Sequence, residues 1–426
     1  MAIMSQPNAP ASRKGSNSVQ VRRYNERVVL EALQRLGQAS KAELARSANL
    51  TPQAVAVIVD HLEEVGLVRH EGKRAGQVGQ PSTLYAPAPD GAFSIGLHVG
   101  RRAFDAVLVD FTGRTLRMET SDYEYPEPQM VAELAAAYVR TFRAGLAPDL
   151  RSRLVGVGVA MPYFMDSWTK ELGMPASITQ AWEDFDFAKA LADSIDLPLF
   201  FENDASGAAT AELVYGRGRE ARDFIYLFIS TFIGGGLIIN GNLETGPNGN
   251  SAAFGPYPVT PSLLSSVPAP KGPFEILLRR ASIYVLTNHL RQNGVPIRRA
   301  HELAEIGEAA EPHLGAWVED CADALAQAIV GAIAVVDVSA IVIDGILPSA
   351  ILQRTVEAVS RRFQAIMPEG LFAPDIAVGT MGPQAAAIGA AILPLYAMFA
   401  PDSATLVKAK APGIGRASLK TYIGAG

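Results

Sequence analysis

Asn203 and Asp204 stand where an apolar run (Leu197, Leu199, Phe200, Phe201) meets an alanine-rich run from Ala205 to Leu213. That pattern reads as a buried strand feeding directly into a helix. Both residues then lie at the carboxyl end of a strand, where open α/β sheets place their ligands. The same residue types also favour the cap of a helix, so the stretch by itself leaves a ligand site and a cap equally open. Further on, Ser230-Thr231-Phe232-Ile233-Gly234-Gly235-Gly236-Leu237 is a glycine-rich turn between two apolar runs, and Asn240-Gly241-Asn242 is a hairpin signal.

A second set of chemistry-bearing residues lies near the start of the chain. Asn25 can cap a helix with Val29, Leu33 and Leu36 on one face, stopped by Gly37. Ser40-Lys41-Ala42-Glu43 has the form of a capping box opening a short helix. After a turn at Ala48-Asn49-Leu50, Thr51 caps a third helix with Pro52 at its first position. Val55, Ile58, Val59, Leu62 and Val65 give that helix a buried stripe. Leu67 to His70 and Thr83 to Tyr85 read as two strands joined by a Gly72–Pro81 loop. Helix, short helix, tight turn, helix and then a hairpin is the plan of a winged helix-turn-helix over residues 21–85. In that plan the third helix enters the major groove by its N-terminus. Thr51, Gln53, Ala54 and Val57 are its outward residues there. Gln53 suits adenine, and Ala54 or Val57 suits a thymine methyl. Arg69, Lys73 and Arg74 would meet phosphates, which fixes position rather than sequence.

Composition agrees with this division. The chain has 426 residues, 49% hydrophobic and 19% charged, enough for two or three domains. Its net charge of −6 conceals a split: residues 1–90 hold 11 Lys and Arg against 8 Asp and Glu, and the remainder 26 against 35. A mildly basic head on an acidic body fits a DNA-binding head on a metabolite-binding body. The single cysteine, Cys321, excludes an intrachain disulfide and a cysteine zinc cluster. The N-terminus shows no apolar core of a signal peptide. The uncharged stretch from Val378 to Pro401 is interrupted by Pro383, Gln384 and Pro394 and reads as a packed core helix rather than a membrane span. A cytoplasmic protein without membrane contact is expected. Residues 1–20 and 401–426 read as tails, and 86–93 as a semi-rigid Pro/Ala linker.

Beyond the linker, Ser94–Gly100, Ala103–Asp110 and Thr115–Met118 form a strand meander, followed by a helix near Pro128–Phe142 and a strand at Leu154–Ala160. Farther on come a helix near Glu311–Val335, a strand at Ala340–Ile343, and helices at Ser349–Ile366 and Gln384–Ala400. With the Asn203-Asp204 and glycine-rich turns, this order resembles the ROK family (repressor, open reading frame, kinase) over residues 94–400. Its members are sugar kinases or transcription factors on a kinase-like body. The resemblance implies an α/β fold: a winged helix-turn-helix followed by a two-lobed, actin-like (ribonuclease H-like) kinase fold. The first lobe would span 94–203 with the returning helix 384–400, and the second 204–383.

Several family motifs are altered. The kinases' first phosphate turn carries an Asp and a Gly-Gly-Thr. Here His98 takes the Asp position, and Arg101 and Arg102 replace the second Gly and the Thr. An imidazole does not replace a carboxylate for magnesium. At the second turn, Ser230 and Phe232 stand where the family has glycine. Asn203 and Asp204 keep their family positions, Asp204 being that of the kinase base. Ala253 replaces a sugar-binding Glu, Pro256 replaces a zinc-binding His, and Pro261 to Lys271 holds Ser and Pro where cysteines would bind zinc. Glu275 keeps the place of a second sugar-contacting Glu, and Tyr163 would lie near the sugar. Asp344-Gly345 would lie where kinases hold adenosine. The wing tip reads Gly79-Gln80-Pro81 in place of a Gly-Arg-Pro-type tip, so Gln80 gains less from a narrow minor groove. The expectation is a regulator with no catalytic residue, metal, zinc or ATP. It would bind palindromic operator DNA as a homodimer or higher homo-oligomer. A sugar-like effector would sit near Asn203, Asp204, Glu275 and Tyr163. An ATP-dependent sugar kinase and a regulator controlled by a protein partner are the alternatives.

Overall fold

The computed structural model describes residues 18–74, 82–163, 165, 173–297 and 300–401. Contacts divide the chain into two compact units, one centred on residues up to Gly91 and the other on Ala92–Tyr396.

The first unit opens with helix α1 (Ser18–Leu36). It begins well before Asn25, because no Gly or Pro interrupts Ser18 to Leu36 and the Arg22–Glu26 pair supports the added turn. Ser18–Gln20 are therefore helix rather than tail, while residues 1–17 and 402–426 lie outside the described set. Val29 and Leu33 are buried, but Leu36, at the helix end, is 45% exposed. Helix α2 (Lys41–Ala48) has the expected capping box. Ser40 Oγ accepts from Glu43 N, and Glu43 Oε2 accepts from Ser40 N at 2.8 Å. Asn49 closes α2 in the left-handed region at φ 52°, a conformation Asn tolerates better than most residues. Thr51 Oγ1 accepts from Ala54 N at 3.2 Å and starts α3 (Pro52–Glu64). Val55, Ile58, Val59 and Leu62 are buried, whereas Val65 is its C-cap residue and 44% exposed.

Strands β1 (Val68–Arg74) and β2 (Ser82–Pro87) form the antiparallel wing, and Ala39 adds a bridge to Tyr85. β1 runs past His70 because a bulge there is absorbed at Gly72, whose φ of +126° suits glycine. The wing tip, including Gln80, lies outside the described residues. The 86–93 segment is not a free linker. Ala86 and Pro87 complete β2, Ala88 N donates to Leu67 O at 2.9 Å, and Pro89–Gly91 form a 3₁₀ turn. A Cβ on Gly91 would lie 2.9 Å from Gly66 O, so this close seating needs glycine.

The second unit holds two five-stranded sheets of the same plan, an antiparallel meander extended by parallel strands. The first comprises β3 (Phe93–Val99), β4 (Ala103–Asp110), β5 (Thr115–Asp122), β6 (Leu154–Ala160) and β7 (Leu199–Glu202), in the order β5-β4-β3-β6-β7. Helices α4 (Pro128–Gly145), α5 (Ala176–Asp184) and α6 (Phe187–Ser194) supply apolar side chains to its core. Helix α7 (Asp204–Tyr215) follows β7 directly.

The second sheet has the order β10-β9-β8-β13-β14. Its strands are β8 (Phe224–Ile229), β9 (Ile233–Ile239), β10 (Asn242–Leu243), β13 (Ala340–Gly345) and β14 (Asp375–Val378); a separate ladder pairs β11 (Pro258–Val259) with β12 (Glu275–Ile276). Helices α8 (Ile283–Gln292), α9 (Glu311–Ile333) and α10 (Ser349–Ile366) pack around it.

Small residues let α7 fit between the sheets. A Cβ on Gly207 would sit 3.5 Å from Ala160 of β6, and Gly236 of β9 lies against Ala209. The segment Gly382–Phe399, which includes helix α11 (Ala385–Phe399), is apolar enough to cross a membrane by length and composition. It is instead a core helix: a Cβ on Gly158 would fall 1.8 Å from Ala390 O, and one on Gly96 2.2 Å from Ala387 O. Backbones touch there because both strand positions lack a side chain.

Candidate functional site

The N-terminal unit carries the first candidate surface. Thr51, Gln53 and Val57 are exposed along the start of α3, with Ala54 half-buried among them. Val57 is 61% exposed on a helix whose other face fills a core. Arg69, Lys73 and Arg74 are exposed on β1. Arg69 pairs with Glu71 at 2.8 Å, and Arg74 with Glu43 of α2 at 3.0 Å. Neither arginine is therefore a purely free cation. Lys41, absent from the sequence-based set, pairs with Asp60 of α3 and lies 5.3 Å above the Tyr85 ring.

The second candidate is a cavity of about 1650 Å³ between the two sheets of the body. Its floor is the carboxyl edge of the first sheet. There His98 of β3 pairs with Ala160 of β6, which pairs with Glu202 of β7. Asn203 caps α7, its Oδ1 accepting from Ala205 N and Ser206 N at 3.0 and 3.3 Å. The cap is thus Asn203, while Asp204 is the first helical residue and lines the cavity. Tyr163 also lines it, and its hydroxyl donates to Glu202 Oε1 at 2.6 Å. Burial pushes the Glu202 carboxyl above its usual range, against the hydrogen bonds from Tyr163 and Asn203 N. Glu202 went unassigned in the sequence because it reads as the last residue of a strand.

Glu275 does not join these residues. It is 3% exposed, does not line the cavity, and its Oε1 accepts from Ile276 N at 2.9 Å. The β11–β12 ladder pairs it with Val259 and holds it in the wall behind. Asp344 is likewise internal. It is fully buried and accepts from Tyr226 Oη, Gly345 N and Gly382 N at 2.8–3.0 Å, so only Gly345 of that pair reaches the cavity.

The turns after β3 and β8 line the cavity through Arg101, Arg102 and Phe232. The Arg101 guanidinium, on a side chain 8% exposed, lies 5.4 Å from the Phe232 ring centroid. Arg102 lies 5.0 Å from the Tyr125 ring. Beside them, His98 Nδ1 is 3.1 Å from Asp105 Oδ2, and Thr120 Oγ1 donates to Asp105 Oδ1 at 2.7 Å. These three residues form one row across β3, β4 and β5. Burial alone would lower the His98 pKa, but hydrogen bonding and charge from Asp105, with the charge of Asp204, raise it. Burial raises and His98 lowers the Asp105 carboxyl, with the lowering dominant. The sequence signal for this row was a His and an Asp flanking a short turn at positions that must pair. Among the described residues no cluster of three or more His, Cys, Asp or Glu could hold a metal ion.

The profile of winged helix-turn-helix DNA-binding domains matches residues 22–69, and that of the ROK family matches residues 94–396. The protein y4fQ of Sinorhizobium fredii is 27% identical over 88% of this chain and 91% of its own length. The xylose repressor of Bacillus subtilis (strain 168) is 26% identical over 55% of this chain, which spans 60% of that repressor. The crystal structure of a ROK family transcriptional regulator, a homologue of the E. coli MLC protein, superposes with a TM-score of 0.62 at 15% identity, covering 92% of this chain and all of the other. With its profile matched across both sheets and the cleft between them, the chain belongs to the ROK family.

Proposed function

We propose that this protein is a sugar-responsive transcriptional repressor that binds operator DNA through α3 and the wing. The observation that carries this reading is the combination of two features. One is a DNA-binding head whose α3 exposes Thr51, Gln53 and Val57. The other is a ROK body in which Arg101 and Phe232 stack where the family's two phosphate turns would approach a nucleotide. Relatives named as xylose and N-acetylglucosamine repressors support the same reading. On this reading the body binds neither ATP nor zinc and catalyses no reaction, and the protein works in the cytoplasm. Two heads of a homodimer would meet half-sites one helical turn apart, or a multiple of that. A sugar-like effector in the cleft would act by favouring one arrangement of the heads energetically.

The test is capture of fragmented genomic DNA on the purified protein at near-physiological salt, followed by sequencing. A recurrent palindrome that Gln53→Ala no longer retains supports the reading. Absence of any enriched site sinks it, and ATP turnover abolished by Asp204→Ala would establish the kinase alternative.

A further inference from the structure

We propose that His98, oriented by Asp105, is the second pole of the effector site, giving a hydrogen bond to one hydroxyl of a neutral cyclic sugar while Asp204 receives one from a neighbouring hydroxyl. This rests on reading the cleft as the ligand site.

Geometry sets the two poles. His98, Ala160 and Glu202 are in register across three parallel strands, so the outer two backbones stand about 10 Å apart. Asp204 follows two residues after Glu202, and His98 and Asp204 line the same cavity. That gap is wide enough for one sugar ring.

The hydrogen-bond inventory matches such a ligand. Asp105 occupies His98 Nδ1, and Thr120 fixes the other oxygen of Asp105. The imidazole is thereby oriented, and Nε2 is the nitrogen left for a ligand. Asp204 spends Oδ1 on Ala205 N, leaving Oδ2 as an acceptor. Asn203 spends its Oδ1 on the α7 backbone, leaving its amide donors. The floor thus offers donors at His98 and Asn203 and an acceptor at Asp204. Sugar hydroxyls both give and receive, so they suit such a mixed set. A metal ion does not: the ring between Asp105 and the cavity presents a donor, not a lone pair, whenever His98 is charged. Arg101 and Phe232 close the cavity on the side of the turns. Glu275, buried behind the wall, does not substitute for His98.

The experiment is calorimetric titration of the full chain with D-xylose, D-glucose and N-acetyl-D-glucosamine. It is repeated on His98→Ala, His98→Asn and Asp204→Ala, each first shown to melt as one folded species. A sugar that binds the wild type should bind His98→Ala at least about tenfold more weakly, the effect of one lost hydrogen bond to a charged group. His98→Asn, which keeps a donor, should recover part of that affinity. In ¹⁵N spectra of the wild type, the same sugar should shift the His98 Nε2 resonance. Unchanged affinity in His98→Ala with loss in Asp204→Ala overturns the role of His98 and leaves the cleft reading intact. No binding of any of the three sugars by the wild type overturns both.

Discussion

Arg280→Met should cost the body about 3 kcal/mol, the lower end of the loss expected when one partner of a buried ion pair is removed. Arg280 is 1% exposed, and every arm of its guanidinium is engaged. Nε and Nη2 donate to the two Asp320 oxygens at 3.1 and 2.9 Å, and Nη1 donates to Thr260 O and Oγ1 at 3.1 Å. Without it, the Asp320 carboxylate, 3% exposed, keeps only Ser262 Oγ and Leu263 N as donors. Those two donors justify the lower end of the range. Calorimetry of the body's own unfolding transition is the assay, since a chain of two units does not melt as a single two-state system. At about 2 °C or more per kcal/mol for a unit of this size, the transition should fall by about 6 °C. The double variant Arg280→Met/Asp320→Leu, which buries no charge at the pair, should recover part of the loss, the remainder being the Ser262 Oγ and Leu263 N donors left without Asp320 and Asp323 left without its arginine. A shift under about 2 °C in the single variant, or a double variant no better than the single, would refute the reasoning. It would mean that the pair is open to water and that other contacts hold the 260–263 segment to α9.

Other predictions follow from single contacts. Gly158→Ala places a methyl where Ala390 O now sits, so β6 and α11 must separate, and the body's stability should fall by about 3 kcal/mol, the upper range for overpacking; an unchanged melting temperature would show that the strand and helix are not in contact. The pKa of His98 is raised in the fold, so its contribution to stability is complete below about pH 6.5 and is lost as pH rises through the higher folded value. The charged groups facing it are Asp105 from β4 and Asp204 from α7. Wild type should therefore lose stability relative to His98→Asn as pH rises above about 6.5, and parallel pH profiles for the two proteins would count against the coupling. Ser40→Ala removes the cap of α2 and should destabilise the head by about 1 kcal/mol, read by chemical denaturation. Lys73→Ala should weaken binding equally on all DNA sequences and lower the salt slope by about one, read by titrations at several salt concentrations, whereas a sequence-dependent loss would place Lys73 on a base.

The sequence by itself determined the features that depend on local spacing. Ser40-x-x-Glu43, Thr51-Pro52 and the apolar stripe Val55, Ile58, Val59 and Leu62 fix the helices of the head, because caps and 3.6-residue periodicity act over a few residues. The junction at Asn203-Asp204 was equally legible, and α10 runs from Ser349 to Ile366 as its periodicity implied. Element ends were less so. Val65 and Leu36 continue an apolar spacing, yet each stands at a helix terminus with too little of the fold around it to be covered. Only the tertiary structure decided what long-range pairing controls. Ala88 and Gly91 look like linker residues until Leu67 O and Gly66 O are found beside them. Glu275, expected beside the ligand from the sequence, is turned into the wall by its ladder with Val259. Arg101 and Phe232, more than a hundred residues apart, meet with the guanidinium 5.4 Å from the ring centroid, and His98, Asp105 and Thr120 join into one row. No local rule fixes these contacts, because each depends on how separate strands are set in register and how closely glycine and alanine allow the layers to approach.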